Sequence, residues 1–149
     1  MFGGISHRGL TPLVIFTGIM RSEDYQLFLQ KSIIPFINEK YPYRHRFFMD
    51  NDPKHTSHST REFIMLNNIN HCKTPPQSPD LMPIEMVWND LKYYLTNEKK
   101  LSTKKDLIKS IKSFWQSKMN DLDYCKKKFT HMNKVIDTII AYCGRATGL

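Results

Sequence analysis

Two carboxylates carry the strongest chemical signal in the sequence. Asp50 follows the segment RHRFFM, whose last three residues are apolar, and opens the segment DNDPKHTS. Glu85 closes the segment TPPQSPDLMPIE, and thirty-four residues lie between it and Asp50. A carboxylate at a strand end and another in the first turn of a helix could share a pair of divalent cations, which prefer oxygen ligands. The spacing therefore predicts two-metal phosphoryl transfer.

The elements around Asp50 follow from local patterns. Residues 46–49 read as a short strand ending at Asp50, and strand ends are where open α/β sheets place their active sites. Upstream, Ser22 is predicted to cap an amphipathic helix that Pro35 kinks or divides. Downstream, residues 56–66 read as a second helix and residues 68–74 as a short strand or extended return.

A proline-rich loop and a helix start position Glu85. The PPQSP segment at 75–79 must be a loop, and Pro83 suits the first position of a helix. Apolar residues then recur at helical spacing and form a core-facing stripe: Ile84, Val87, Trp88, Leu91 and Leu95. Glu85 therefore lies on a different face of the helix from this apolar stripe. Met82 occupies the N-cap position, where its side chain cannot accept an amide hydrogen bond, a loss of roughly 1 kcal/mol.

The two ends of the chain show further elements. The SHRG turn at 6–9, followed by the apolar run Leu13 to Thr17, predicts a hairpin of two strands. Near the other end, Ser102 and Thr103 precede a helical pattern, and residues 129–142 are predicted to form the last helix.

Length and composition favour one domain with a real core. The chain has 149 residues, of which 40% are apolar, and no segment approaches the roughly eighteen apolar residues that a membrane span requires. The three cysteines are widely spaced without a CxxC pair, which favours reduced thiols over a disulfide framework or zinc knuckle. Neither a secretory signal nor a transit peptide is visible at the N-terminus.

The net charge of +8 belongs entirely to the last third of the chain. Residues 1–98 hold ten basic and ten acidic residues, whereas residues 99–149 hold twelve basic and four acidic ones. The excess consists mainly of Lys99, Lys100, Lys104, Lys105, Lys109, Lys112, Lys118, Lys126, Lys127 and Lys128. Such a set predicts either a surface that neutralises DNA phosphates or an ordinary solvated helical face.

Three motif blocks occur together in this order. GGIS.RG.T.L opens the chain, DNDPKHTS begins at Asp50, and PPQSPDL.PIE.VW begins at Pro75. Together they resemble the Tc/mariner transposases, along nearly the whole chain. The resemblance implies an α/β, ribonuclease H-like domain with a mixed sheet flanked by helices and a helical C-terminal part. It also implies that the basic surface contacts DNA.

In that family the active site is a triad of carboxylates, and Asp50 and Glu85 match its second and third members. The first carboxylate of the triad lies on a strand upstream of the family residues that match Phe2, Gly3 and Gly4. The chain is therefore expected to lack that first strand. The implied organisation is a single truncated catalytic domain over 1–149, with a sheet core in 1–98 and a basic helical region in 99–149.

The resemblance also implies a function and partners. It implies metal-dependent cleavage and integration of double-stranded DNA, at transposon ends and target, with two Mg²⁺ or Mn²⁺ ions held by Asp50 and Glu85. A nuclear location and a possible homodimer follow from it, and no membrane partner is expected. The predicted DNA contacts are Lys54, His55, Lys104, Lys105, Lys109 and Lys112. Without the first carboxylate, this chain alone is expected to have little or no activity.

Several alternatives stay open. Asp52 is the rival of Asp50 as a ligand, although two residues along a tight turn it should point elsewhere. His55 has either a structural or a DNA-contacting role, and its spacing from His58 is only a weak zinc signal. The whole chain could also be a non-catalytic DNA-binding or interaction protein derived from a transposase. An unrelated metal-dependent nuclease would require three motif blocks to coincide by chance.

Overall fold

The chain folds into two units of helices and short strands. The computed structural model describes residues 1–75, 78, 81–97 and 101–142. The first unit comprises Met1 and Val14–Ser78, and the second comprises Phe2–Leu13 and Pro79–Leu149. The segment that carries Glu85 falls in the second unit. Of the PPQSP loop, Pro75 and Ser78 have no regular structure, and the other members lie outside the described residues.

The first unit begins with one long helical segment in three parts. Helix α1 spans Ser22–Phe28, a π-helical turn spans Leu29–Ile33, and helix α2 spans Ile34–Lys40. Pro35 sits in the first turn of α2, directly after the wider π turn. Because proline lacks an N–H and its ring collides with the carbonyl four residues back, the wider turn accommodates it. The predicted interruption at Pro35 is confirmed.

The start of α1 differs from the prediction by one residue. Arg21 is the N-cap, and Ser22 is already helical. The Asp24 carboxylate accepts the backbone N–H of Arg21 at 2.9 Å, so the acidic first turn caps the helix in place of a serine hydroxyl. The prediction of Ser22 as the cap was therefore wrong, because the acidic side chain satisfies the orphan amide instead.

A parallel strand pair forms the sheet of the first unit. Strand β3 (Phe47–Met49) pairs with β4 (His71–Lys73), with Phe47 opposite His71. This confirms the two predicted short strands.

The helix predicted for 56–66 is divided into α3 (Pro53–Thr56) and α4 (His58–Leu66). Ser57 stays extended between them and accepts the N–H of Thr60, which caps α4. Beyond the end of α4, Asn68 adopts a left-handed conformation, with φ of 53°.

The hairpin of the second unit is shorter than predicted. Strand β1 (Ile5–Ser6) pairs antiparallel with β2 (Gly9–Leu10) around the predicted SHRG turn. Gly9 has φ of +118°, and a Cβ there would lie 2.5 Å from the Met119 carbonyl oxygen. Residues 13–17 were wrongly predicted as the second strand: Val14 forms only a single-residue bridge. The β-branched pattern could not produce a strand without a partner along its length.

Three helices complete the second unit. Helix α5 spans Pro83–Asn97, α6 spans Lys104–Met119 and α7 spans Leu122–Ala141. Thr103 caps α6 and exchanges hydrogen bonds with Asp106, as expected of a capping residue. Asp121 caps α7, so this helix begins seven residues before the predicted position 129. The buried side chains of these helices are Val87, Leu91, Ile111, Phe114, Trp115, Cys125, Met132 and Val135.

None of the helices in the described part of the chain is long and apolar enough to cross a membrane. Cys72 and Cys125 are both free thiols. Cys143 lies outside the described residues.

Asp90 joins α5 to α7. Its Oδ2 atom accepts the Tyr124 hydroxyl at 2.7 Å and lies 2.5 Å from Lys128 Nζ. Burial, followed by the contact with Asp90, raises the pKa of the Tyr124 hydroxyl. Both partners of Asp90 therefore depend on its carboxylate.

We expect Asp90→Ala to lower the free energy of unfolding by about 1–2 kcal/mol, because it leaves a part-buried ammonium and hydroxyl without their acceptor. Urea unfolding followed by circular dichroism measures this change. The control is Asp123→Ala, which removes a carboxylate that is 87% exposed and 4.0 Å from Lys126. That control should change stability by less than about 0.5 kcal/mol, and equal losses in the two variants would refute the account of Asp90.

Candidate active site

Asp50 lies directly after β3 with one carboxylate oxygen engaged and the other open. Its side chain is 61% exposed. The Oδ1 atom accepts the backbone N–H of Asp52 at 3.1 Å and lies 2.5 Å from His55 Nδ1. The Oδ2 atom makes no hydrogen bond to any residue that the structure describes. Asp50 can therefore offer one oxygen to a ligand while the other is held by the protein.

Hydrogen bonds fix the backbone on both sides of Asp50. The Thr74 hydroxyl donates to the Met49 carbonyl at 2.9 Å, and the Asn51 side chain donates to the Thr74 carbonyl at 3.0 Å. Both bonds tie the end of β3 to the residue that follows β4. The position of Asp50 is thus determined by two strand ends and not by its own loop alone.

His55 is buried beneath this strand end. Its side chain is 6% exposed, and its ring lies 4.1 Å from that of Tyr25, measured between ring centroids. Burial lowers the pKa of His55 below its ordinary value, although the neighbouring Asp50 carboxylate opposes this shift. A buried ring has little surface to present to DNA, so the structure supports the structural role among the two that the sequence left open.

The rival carboxylate, Asp52, is committed elsewhere. It caps α3 by accepting the N–H of Lys54 at 3.0 Å, and it forms an ion pair with the Lys54 ammonium. The pKa of Asp52 is lowered: burial opposes the shift, but the hydrogen bonds and charge of Lys54 outweigh it. Asp52 is therefore occupied as a helix cap and as the ion-pair partner of Lys54.

The weak zinc signal finds no support in the positions of the two histidines. His58 is 88% exposed and pairs with Glu62 at 3.4 Å, whereas His55 is buried against Asp50. Across the described part of the chain, no group of three or more His, Cys, Asp or Glu side chains is gathered closely enough to hold a metal ion.

A cavity of about 120 Å³ opens beside Asp50 within the first unit. Asn51, Arg61 and His71 also line it. Arg61 and His71 were not singled out from the sequence. The parallel register that brings His71 opposite Phe47 is the feature that places it there, and a sequence pattern contains no such register. The cavity therefore combines an acidic group with potential phosphate-binding donors.

Glu85 lies in the first turn of α5, and its side chain is exposed. Its backbone N–H donates to the Met82 carbonyl at 2.9 Å, as expected for Met82 in the capping position. Its carboxylate forms no hydrogen bond or ion pair with the residues described. Val87 and Leu91 are buried on the opposite stripe, which confirms the predicted rotation of the helix.

Both carboxylates suit a hard divalent cation. Each supplies oxygen donors, and each has at least one carboxylate oxygen that no described residue occupies. Mg²⁺ and Mn²⁺ prefer such ligands. Each carboxylate therefore offers the kind of donor that the metal implied by the resemblance prefers.

The basic residues of α6 are well exposed. Lys104, Lys105, Lys109 and Lys112 all face solvent and form no ion pair among the described residues. Lys105, Lys109 and Lys112 recur at helical spacing and share one face. Lys54 differs, because its ammonium is paired with Asp52. Lys99 and Lys100 lie outside the described residues.

Solved structures identify the class of fold. The Mos1 transposase catalytic domain, in a structure with raltegravir and Mg, has a TM-score of 0.80 at 17% identity over 94% of this chain and 72% of that chain. The Mos1 transposase paired-end complex with the left transposon end also gives 0.80, at 18% identity over 96% of this chain and 43% of that one. These matches confirm the ribonuclease H-like fold class.

Sequence comparisons identify the family. The family described as DDE superfamily endonuclease matches residues 1–108. The chain therefore belongs to this family, as a Tc/mariner-like transposase domain.

Among its relatives, the Tcb1 transposase of Caenorhabditis briggsae is 33% identical over 91 residues, 61% of this chain and 33% of that protein. The Tc3 transposase of Caenorhabditis elegans is 30% identical over 118 residues, 78% of this chain and 36% of that protein. The chain thus spans about a third of the length of these relatives.

Proposed function

We propose that the chain supplies two of the three metal-binding carboxylates of a cut-and-paste DNA transposase. The reaction is hydrolytic cleavage at transposon ends followed by strand transfer into target DNA. The observation that carries the proposal is the Asp50 carboxylate, held at a strand end through Oδ1 with Oδ2 open, in a chain of the DDE family. The Mos1 structures containing Mg and a transposon end support the same metal and the same kind of substrate.

Each residue has a distinct task in this proposal. Asp50, through Oδ2, and Glu85 would hold Mg²⁺ or Mn²⁺. Such ions, when bound, activate a water or 3′-hydroxyl and stabilise the leaving oxygen. Asn51 and Thr74 keep the backbone around Asp50 in place, and the exposed lysines of α6 would bind DNA phosphates. Work on chromosomal DNA would place the protein in the nucleus, and pairing of two transposon ends would favour a homodimer.

The 149-residue chain alone is proposed to be nearly inactive. Mg²⁺ needs close to octahedral oxygen ligation, and a missing carboxylate weakens the field that retains it. Joining the segment that precedes the matched region in a Tc/mariner relative would supply the third carboxylate.

The test is nicking of supercoiled plasmid carrying transposon ends, with Mg²⁺, Mn²⁺ or EDTA. We expect metal-dependent cleavage from the joined chain and none from the 149-residue chain. Cleavage by the short chain would show a third ligand within it. A soluble, folded joined chain that never cleaves DNA would contradict the proposal.

A non-catalytic DNA-binding role is the second candidate, and the unpaired lysine face of α6 favours it. Binding of this kind would not need a metal, and it would weaken steeply with salt because each neutralised phosphate releases counterions.

We expect the triple variant Lys105→Ala, Lys109→Ala, Lys112→Ala to make the plot of log affinity against log salt concentration shallower by about 2.7, at about 0.9 per phosphate contact. Fluorescence anisotropy with a labelled duplex in EDTA measures this slope. The matched control is Lys126→Ala, Lys127→Ala, Lys134→Ala, which removes three exposed charges from α7. Equal changes in the two triple variants would mean that net charge, and not the face of α6, determines DNA binding.

A further inference from the structure

The contact between His55 and Asp50 has the geometry of an orienting pair. A carboxylate only accepts hydrogen bonds, so His55 donates through Nδ1–H to Asp50 Oδ1 at 2.5 Å. The two residues are five positions apart, and the donor lies in α3 while the acceptor directly follows β3. The bond therefore connects the candidate ligand to a different element of the fold.

The imidazole is held more firmly than the carboxylate it contacts. The His55 backbone N–H donates to the Asp52 carbonyl at 2.8 Å, and the Thr60 hydroxyl donates to the Lys54 carbonyl at 2.8 Å. The first bond holds His55 within the turn of α3, and the second fixes α3 against α4, whose Thr60 is fully buried. On its other side the ring packs on Tyr25, which is 1% exposed. His55 is thus a rigid donor.

Asp50, by contrast, depends on its contacts for orientation. Its side chain is 61% exposed, so packing restricts its rotation little. The two hydrogen bonds to Oδ1, from His55 and from the Asp52 amide, select one orientation and leave Oδ2 without a hydrogen bond to any described residue. Supporting hydrogen bonds of this kind orient metal ligands, and their loss typically weakens metal affinity by about 10- to 100-fold.

We propose that His55 is a positioning residue that holds the Asp50 carboxylate in the orientation that presents Oδ2 to a divalent cation. The involvement of a cation depends on the proposed function, whereas the orienting hydrogen bond does not. His55 is not itself a ligand in this proposal, because its ring is buried and its Nδ1 atom is bonded to the carboxylate.

Two substitutions separate orientation from packing. In His55→Asn the side-chain amide nitrogen can occupy the place of Nδ1 and donate to Oδ1. In His55→Phe an aromatic ring remains against Tyr25 but the donor is lost. A residue with a purely structural role would respond to ring loss, so Phe would be the milder change. A positioning residue would respond to donor loss, so Asn would be the milder change.

The first measurement uses three-bond carbon–nitrogen and carbon–carbon couplings of Asp50 in the metal-free 149-residue chain, which report its χ1 rotamer. We expect one dominant rotamer in the unchanged chain and in His55→Asn, and averaged couplings in His55→Phe. A single unchanged rotamer in His55→Phe would overturn the proposal. If His55→Phe does not fold, retention of the rotamer by His55→Asn supports the proposal, and averaging in His55→Asn overturns it.

The second measurement is paramagnetic broadening of the Asn51 and Asp52 amide signals during titration with Mn²⁺. We expect His55→Phe to weaken the apparent affinity by about 10-fold or more and His55→Asn to stay within about 3-fold. If the unchanged chain shows no Mn²⁺ broadening while the coupling pattern holds, the orienting role stands and the same titration of the joined chain tests the metal function. No broadening in the joined chain would contradict the proposed metal function. Equal Mn²⁺ affinity in all three proteins would refute the link between orientation and metal binding.

Discussion

Replacing Asp50 by asparagine is expected to abolish metal-dependent DNA cleavage in an active chain that contains this segment. Asparagine keeps the shape of the side chain and an acceptor for His55, but it removes the negative charge that a divalent cation requires. We expect the rate to fall by at least about 10³-fold, equivalent to roughly 4 kcal/mol of transition-state stabilisation. Single-turnover cleavage of a labelled transposon end, using the joined chain described above, measures the rate.

Glu85→Gln should cause a comparable loss, and the double variant should be no worse than either single one, because residues that act as a unit are not additive. The control is Glu62→Gln, which removes an exposed carboxylate of α4 that pairs only with His58 among the described contacts. It should retain cleavage within about 3-fold. Substantial cleavage by Asp50→Asn, or an equal loss in Glu62→Gln, would contradict the assignment.

Trp115→Ala is expected to lower the free energy of unfolding of the second unit by about 3–5 kcal/mol. Trp115 is 3% exposed, stacks on Trp88 with ring centroids 5.2 Å apart and donates from Nε1 to the Thr11 carbonyl at 2.8 Å. A Cβ atom added at Gly3 would lie 2.6 Å from the Trp115 ring, so the ring packs directly against the Gly3 backbone. Truncation therefore opens a cavity and leaves a buried carbonyl without its donor. Chemical denaturation followed by circular dichroism measures the loss.

Two control variants separate the cost of the cavity from the cost of the lost hydrogen bond and from that of removing any aromatic side chain. Trp115→Phe keeps much of the ring volume but loses the hydrogen bond, so it should cost less than the alanine variant. Tyr93→Ala removes an aromatic side chain that is 67% exposed on α5, and it should change stability by less than about 0.5 kcal/mol. A loss below 1 kcal/mol for Trp115→Ala would show that the indole does not organise this core.

Local patterns were sufficient to predict the elements that carry the candidate site. The apolar segment before Asp50 predicted β3, and the spacing of Val87 and Leu91 predicted which face of α5 is buried. Proline chemistry predicted both the interruption at Pro35 and the start of α5 at Pro83. In each case a few neighbouring residues determine the local conformation, so these elements can be predicted without knowledge of distant contacts.

Features that depend on distant contacts were not predictable in this way. The Leu13 to Thr17 run has strand composition, but among the described residues only Val14 of this run forms a bridge. The predicted start of α7 missed the cap provided by Asp121. The Trp115 hydrogen bond spans 104 residues of sequence. Within the candidate site, the motif suggested His55 without showing that its donor faces Asp50, and nothing in the sequence singled out Arg61 or His71.

The most direct test of the central claim is the anomalous scattering of Mn²⁺ in crystals of the joined chain grown with that ion. If Asp50 and Glu85 hold a shared site, manganese should appear within inner-sphere distance of carboxylate oxygens of both residues, about 2.1 Å for an ion of this kind. The Asp50 contact should be through Oδ2, with Oδ1 still bonded to His55. Manganese bound elsewhere, with Asp50 and Glu85 contacting only solvent, would contradict the account.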